Sequence, residues 1–315
     1  MTLSHCAFVF PGQGSQKVGM LAAAHAAFPA VREAFDEASA ALSQDVWGLV
    51  QEGPQEALNL TATTQPILLT ASVALWRAWR AAGGAEPALM AGHSLGEFSA
   101  LVCAGSLDFA DAVRLVRQRG EFMQTAVPVG EGAMAAIIGL DDDSINRICA
   151  EVSAAGDGEV AAVNFNSPGQ VVIAGHTSAV ERASAALKAG GAKRAMPLPV
   201  SAPFHTALMR PAGERLAEVL ATVTIQAPTI PVVHNVHAQP ESDPERIRSL
   251  LVEQIYSPVQ WTACVAYMAG QGVTQVVECG PGRVLSGLNK RIDSALLSHS
   301  LEEPAGLADA LAALA

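Results

Sequence analysis

The feature that most limits the fold is a short apolar run that ends at a glycine turn and gives way to a helical pattern. Residues 6–10 run into Pro11-Gly12-Gln13-Gly14-Ser15-Gln16, and residues 88–91 end at Gly92, ahead of a helical stretch over about 96–104. Helical patterns fill most of 20–83, and alternation resumes with apolar runs at 231–235 and 273–278. Short apolar strands between helices predict a parallel α/β sheet.

The segment between these halves has a different order. Residues 133–138 read as a strand, and 142–155 as a helix with Asp and Ser at its start. Two strands at 160–164 and 171–174 are joined through the turn sequence Asn166-Ser167-Pro168-Gly169. A helix at 177–189 and a strand at 194–200 complete β-α-β-β-α-β, the split pattern of ferredoxin-like units. The expected organisation is a large α/β domain from 1–129 and 199–315, with an inserted ferredoxin-like subdomain at 130–198.

Composition removes several classes of function. Half of the 315 residues are hydrophobic, enough for a large core, yet no apolar run approaches the roughly 18 residues of a membrane span. The N-terminus lacks a basic stretch followed by an apolar one, so no signal peptide is expected. Cysteines 6, 103, 149, 264 and 279 show no CxxC spacing and fit reduced thiols in a cytoplasmic protein. A net charge of −11 argues against nucleic acid binding. An acidic partner would need a local basic patch. Lys188, Lys193 and Arg194 form one cluster and Arg283, Lys290 and Arg291 another; each is either a solvated face or a docking surface. His234 and His237 are three apart near a predicted strand end and are expected to lack acidic partners, so no metal site is expected. Gly280-Pro281-Gly282 has no Lys-Ser or Lys-Thr after it and reads as a tight turn rather than a phosphate loop.

Gly92-His93-Ser94-Leu95-Gly96, between a strand and a helix, has the form of a nucleophile elbow. A serine on so tight a turn needs neighbours without bulk. The turn lifts the hydroxyl above the sheet edge and aims the next helix at it, so that the Leu95 N–H can stabilise an oxyanion. The alternative is a glycine-rich turn with an ordinary serine. A reactive serine needs a base. His93 adjoins it and would point away, whereas His205 lies in a proline-containing loop where the inserted segment rejoins the main sheet. His205 is therefore the favoured base, and no acidic third member stands out.

Arg119 is conspicuous for its position. On a helix, 112, 116, 119 and 123 share one face, which places the guanidinium among Ala112, Val116 and Met123. A buried guanidinium must be paired, since one left alone costs about 3–5 kcal/mol. The helix pattern by itself favours an internal Asp or Glu as that partner.

Taken together, Phe10-Pro11-Gly12-Gln13-Gly14-Ser15-Gln16, Gly92-His93-Ser94-Leu95-Gly96-Glu97, Val163-Asn164 through Gln170, His205 and Glu278-Cys279-Gly280-Pro281-Gly282 resemble malonyl-CoA:acyl carrier protein transacylases over almost the whole chain. The resemblance implies an α/β-hydrolase-like large domain with a ferredoxin-like small one. It implies a ping-pong transfer of malonyl from malonyl-CoA to the phosphopantetheine thiol of acyl carrier protein in bacterial fatty-acid synthesis, without metal or redox cofactor. By matching position it makes Ser94 the nucleophile and His205 the base. The backbone carbonyl of Gln254 replaces the missing acid, and Gln13 joins Leu95 as an oxyanion donor. Arg119 pairs with the malonyl carboxylate, and Met123 and Gln170 line the acyl pocket. A monomer is expected. The rivals are an acyltransferase with another extender unit, a serine hydrolase and a non-catalytic carrier-binding subunit.

Overall fold

The structure, a computed structural model, describes residues 2–200 and 202–314; Met1, Ser201 and Ala315 fall outside the described residues. β1 (Thr2–Phe10) leads into four helices, α1 (Ala22–Ala27), α2 (Pro29–Leu42), α3 (Val46–Glu52) and α4 (Gln55–Leu58), and then the long α5 (Thr61–Ala81). β2 (Glu86–Gly92), α6 (Leu95–Cys103) and α7 (Phe109–Gln124) follow. The chain then forms β3 (Gly132–Ile138), α8 (Asp142–Ala154), β4 (Val160–Ser167), β5 (Gln170–His176), α9 (Thr177–Ala189) and β6 (Arg194–Pro197). It returns through α10 (Arg210–Leu220), β7 (Val232–Val233), α11 (Pro244–Glu253), α12 (Trp261–Gly270), β8 (Gln275–Glu278), α13 (Val284–Ile292), β9 (Leu297–Ser300) and α14 (Pro304–Ala313).

Two sheets result. The larger has the order β7-β2-β1-β8-β9 with every pairing parallel. β1 shows why it must be covered on both sides. Cys6, Phe8 and Phe10 enter the core beneath α2, α5, α6 and α7, while the alternate Ala7 and Val9 enter a second core with Trp261, Val265 and Leu285. The smaller sheet has the order β4-β5-β3-β6, antiparallel throughout, with α8 and α9 on one face. This is ferredoxin-like, and all four strands fall between Gly132 and Pro197. Ala135, Ile137, Val171 and Ile173 face those helices; Met134, Ala136, Val172 and Ala174 join the core of the larger unit. The small sheet is thus buried on both faces, and β4 packs against α12 and α13 of the larger unit.

Several boundaries differ from the sequence expectation for physical reasons. β6 stops at Pro197 instead of 200, because Pro199 has no N–H for the ladder, and residues 198–200 line a cleft. β7 has two paired residues rather than five, since the next N–H that matters, on Asn235, goes to the Glu97 carboxylate. β9, Leu-Ser-His-Ser at the sheet edge, carries too little apolar pattern to be read as a strand from sequence. No helix among the described residues is long and apolar enough to cross a membrane.

Candidate active site

The turn between β2 and α6 is built around close backbone approaches. A Cβ on Gly92 would sit 1.8 Å from the Gly96 carbonyl carbon, and one on Gly96 would sit 2.0 Å from the Phe10 oxygen. Only hydrogen fits at either position, so the strand can turn into the helix in two residues. Ser94 takes the strain, with φ 50° and ψ −105°. A non-glycine residue in such a region costs about 1–3 kcal/mol and persists only where the surroundings hold it. Its N–H is taken by Asn235 Oδ1 at 2.7 Å. Its hydroxyl lies 2.9 Å from His205 Nε2.

His205 also has positive φ, 63°. Its Nδ1 is 2.8 Å from the Gln254 backbone oxygen. That carbonyl is free because Gln254 closes the C-terminus of α11, where the last carbonyls have no partner within the helix. A carbonyl can only accept, so Nδ1 carries the proton and Nε2 is left to accept from Ser94. Burial, and after it the nearby Arg119 charge, pull the imidazole pKa down to about 3. The ring is neutral at neutral pH.

Arg119 is 1% exposed. It reaches this depth because α7 presses against α5 at Gly120, where a Cβ would meet the Thr61 oxygen at 2.6 Å. The expected internal acid is absent: among the described residues its partners are neutral. Nη1 donates to Gln65 Oε1 at 2.8 Å, and Nη2 to Gln254 Oε1 at 2.8 Å and to Ser94 Oγ at 3.2 Å. Phe98 lies under the guanidinium, 5.2 Å from its ring centre, and Nε has no partner. Burial lowers the pKa to about 10, with Glu97 opposing the shift, so the group stays charged at neutral pH. The nearest buried carboxylate on α6, Glu97, is bonded to His234 Nδ1 and Asn235 N–H instead. A buried cation solvated by amides beside a serine hydroxyl is a site waiting for an anion.

These groups open on a cleft of about 400 Å³ between the two units. Ser94, His205, Arg119, Met123, Leu95 and Gln13 all line it, so the structure gathers most of the expected residues. Met123 Sδ accepts from Gln65 Nε2 at 3.7 Å. Neither the Leu95 nor the Gln13 N–H has a protein acceptor among the described residues. The loop presenting Gln13 is braced by Gln16, which accepts from Gly14 N–H at 2.8 Å and donates to Asn59 at 2.9 Å. Two N–H groups left free at a helix start and a braced loop can receive an oxyanion. His93 also lines the cleft, but its Nε2 is 2.8 Å from Asn166 Oδ1, which ties the elbow to the β4–β5 hairpin.

Two expectations need correction. Gln170 does not line the cleft: as first residue of β5 it points to the surface, and its side-chain oxygen accepts from Arg291 of α13. His234 does have an acidic partner, the buried Glu97, brought from 137 residues away at 2.8 Å. Sequence reasoning also missed Gln65, Asn235 and the Gln254 side chain. The available signal for Gln65 was a lone amide in a helix that is otherwise buried; Asn235 offered none.

The acyl transferase domain family matches residues 7–296. The chain is 63% identical over 310 residues to the malonyl CoA-acyl carrier protein transacylase of Escherichia coli (strain K12), covering 98% of this chain and 99% of that one. Its fold is similar to the crystal structure of an acyl carrier protein S-malonyltransferase from Vibrio cholerae, with a TM-score of 0.95 and 55% identity over 97% of this chain and 99% of that one. It is similar as well to a malonyl-transacylase solved in complex with a type II PKS acyl-carrier protein, with a TM-score of 0.96 and 56% identity over 98% and 99% of the two chains.

Proposed function

This chain belongs to the malonyl-CoA:acyl carrier protein transacylases, and from its site we propose how Ser94, His205 and Arg119 carry out the transfer. The enzyme is an acyltransferase that moves a malonyl group from malonyl-CoA to acyl carrier protein.

The observation that carries the residue assignment is the buried Arg119 with amide partners, 3.2 Å from Ser94 Oγ. In a malonyl thioester the carboxylate stands two carbon–carbon bonds from the reacting carbonyl. A group that binds it must therefore lie within a few bond lengths of the nucleophile, as Arg119 does. The substrate carboxylate takes the guanidinium fork and releases the Ser94 lone pair from Nη2. His205 Nε2 takes the hydroxyl proton while Oγ attacks the thioester carbon. The oxyanion rests on the N–H groups of Leu95 and Gln13. On collapse the carbon–sulfur bond breaks, and the His205 imidazolium, held by the Gln254 carbonyl, returns its proton to the coenzyme A thiolate. In the second half the carrier's phosphopantetheine thiol gives its proton to His205 and attacks the malonyl-serine ester. Ser94 leaves with that proton. Met123 packs along the acyl group. Side chains and backbone of this chain account for each proton and charge, without a cofactor.

An intact-mass experiment tests this reading. Incubated with malonyl-CoA, the protein gains one malonyl group on Ser94, and added carrier protein removes it and becomes malonylated. Ser94→Ala gains none. Absence of an adduct on Ser94 contradicts the assignment, and free malonate without carrier labelling makes the chain a hydrolase. We place the enzyme in the supply of malonyl units for fatty-acid synthesis, as a monomeric cytoplasmic protein. For the cytoplasmic location, five free, buried cysteines fit a reducing compartment.

A further inference from the structure

We infer that Asn235 is a positioning residue for the nucleophile, held in place by Glu97 and His234; the inference rests on Ser94 being the acylated residue. Ser94-Leu95-Gly96-Glu97 at the start of α6 has the form of a capping box. In a capping box the serine hydroxyl bonds forward into the first turn and the glutamate reaches back to the serine N–H. Neither contact is made here. The Ser94 side chain caps nothing, and its hydroxyl faces His205. Its N–H goes to Asn235 Oδ1 at 2.7 Å, and Glu97 bonds Asn235 instead of Ser94.

Asn235 has no exposure and all its polar groups are engaged. Besides holding the Ser94 N–H, its Nδ2 donates to the Gly92 oxygen at 2.7 Å, so one side chain clasps both ends of the elbow. Its backbone N–H donates to Glu97 Oε2 at 2.8 Å, and its carbonyl accepts from Gln260 N–H at 3.1 Å. The other Glu97 oxygen lies 2.8 Å from His234 Nδ1. The consequence is functional. An asparagine just beyond β7 takes the Ser94 N–H in place of the capping-box glutamate and holds the serine in its strained turn, with the hydroxyl aimed at the base and the next N–H, on Leu95, left for the oxyanion. Without Asn235, the strained Ser94 peptide can relax toward an ordinary helix start, in which Oγ caps α6 and turns from His205.

The test is single-turnover acylation by malonyl-CoA, followed by intact mass in wild type, Asn235→Ala and Glu97→Gln, with the half-saturating malonyl-CoA concentration measured alongside. Folding is checked by circular dichroism. Asn235→Ala should acylate about 100-fold more slowly, with half-saturation within a factor of about three of wild type. Glu97→Gln keeps the volume and one acceptor oxygen. It should slow acylation less, again without moving half-saturation, and it decides the matter if Asn235→Ala does not fold. Wild-type acylation rates in the folded variants overturn the inference, as does a loss of affinity equal to the loss of rate. A wild-type protein that is not labelled on Ser94 overturns the nucleophile assignment itself.

Discussion

At the scale of single residues, function follows from what each buried polar group is bonded to. His205 is neutral because burial and Arg119 lower its pKa from 6.5 to about 3. Between those values an unfolded chain takes up a proton that the folded one does not. This group therefore removes stability as pH falls from 6.5 toward 3, and contributes nothing above that window. The same shift sets the kinetics. Acylation of the free enzyme should stay flat as pH is lowered from neutrality past 6.5, and fall only well below it. A pH profile of kcat/KM for malonyl-CoA checks this; an acid limb at or above 6.5 would show that His205 is not the buried, neutral base described. Ser94, His205 and Arg119 were legible in the sequence because each breaks a local rule: a serine between glycines, a histidine in a proline loop, a charge on an apolar stripe. Asn235 breaks none and Gln65 only a weak one, as a lone amide in a buried helix, and they act from 141 and 54 residues away on Ser94 and Arg119. Gln254 is intermediate. Its backbone carbonyl, which any residue type supplies, came only from the family resemblance, and its side-chain bond to Arg119 had no sequence signal.

At the scale of elements, the pattern of short apolar strands and helices gave both sheets, since β1 and β3, covered on both faces, carry near-continuous apolar runs. What escaped was whatever depended on pairing rather than pattern. β9 is paired with β8 despite its polar sequence, and β7 ends early because its backbone is engaged elsewhere. The helix pair α5–α7 shows how an element positions chemistry. Gly120 lets the helices touch, which puts Arg119 between Gln65 and the elbow. A helix packed at an ordinary separation would leave that guanidinium short of Ser94.

At the scale of the whole molecule, a chain of net charge −11 carries a buried cation and two basic clusters that sequence could not relate to each other. The small sheet relates them. Arg194 pairs with Ile138, Ile138 with Gln170, and Gln170 bonds Arg291 across the junction of the two units. Lys193, Arg194, Lys290 and Arg291 are all exposed. These exposed cations, linked through Ile138 and Gln170, are our proposed docking surface for an acidic carrier. Arg194→Glu and Arg291→Glu should each raise the KM for carrier protein while leaving that for malonyl-CoA unchanged; equal effects on both substrates would rule out this surface as a carrier site. The central claim is narrower: Arg119, charged, buried and bonded among the described residues only to two amides and the Ser94 hydroxyl, makes Ser94 selective for an acyl group that brings its own carboxylate. The most direct measurement is the ratio of Ser94 acylation rates with malonyl-CoA and acetyl-CoA, in wild type and in Arg119→Ala. A polar group left unsatisfied by the wrong substrate can discriminate by about 10⁴-fold. The ratio should be of that order in wild type and collapse toward unity in the variant, through loss of malonyl transfer with acetyl transfer kept. Malonyl transfer at the wild-type rate in Arg119→Ala would contradict the account.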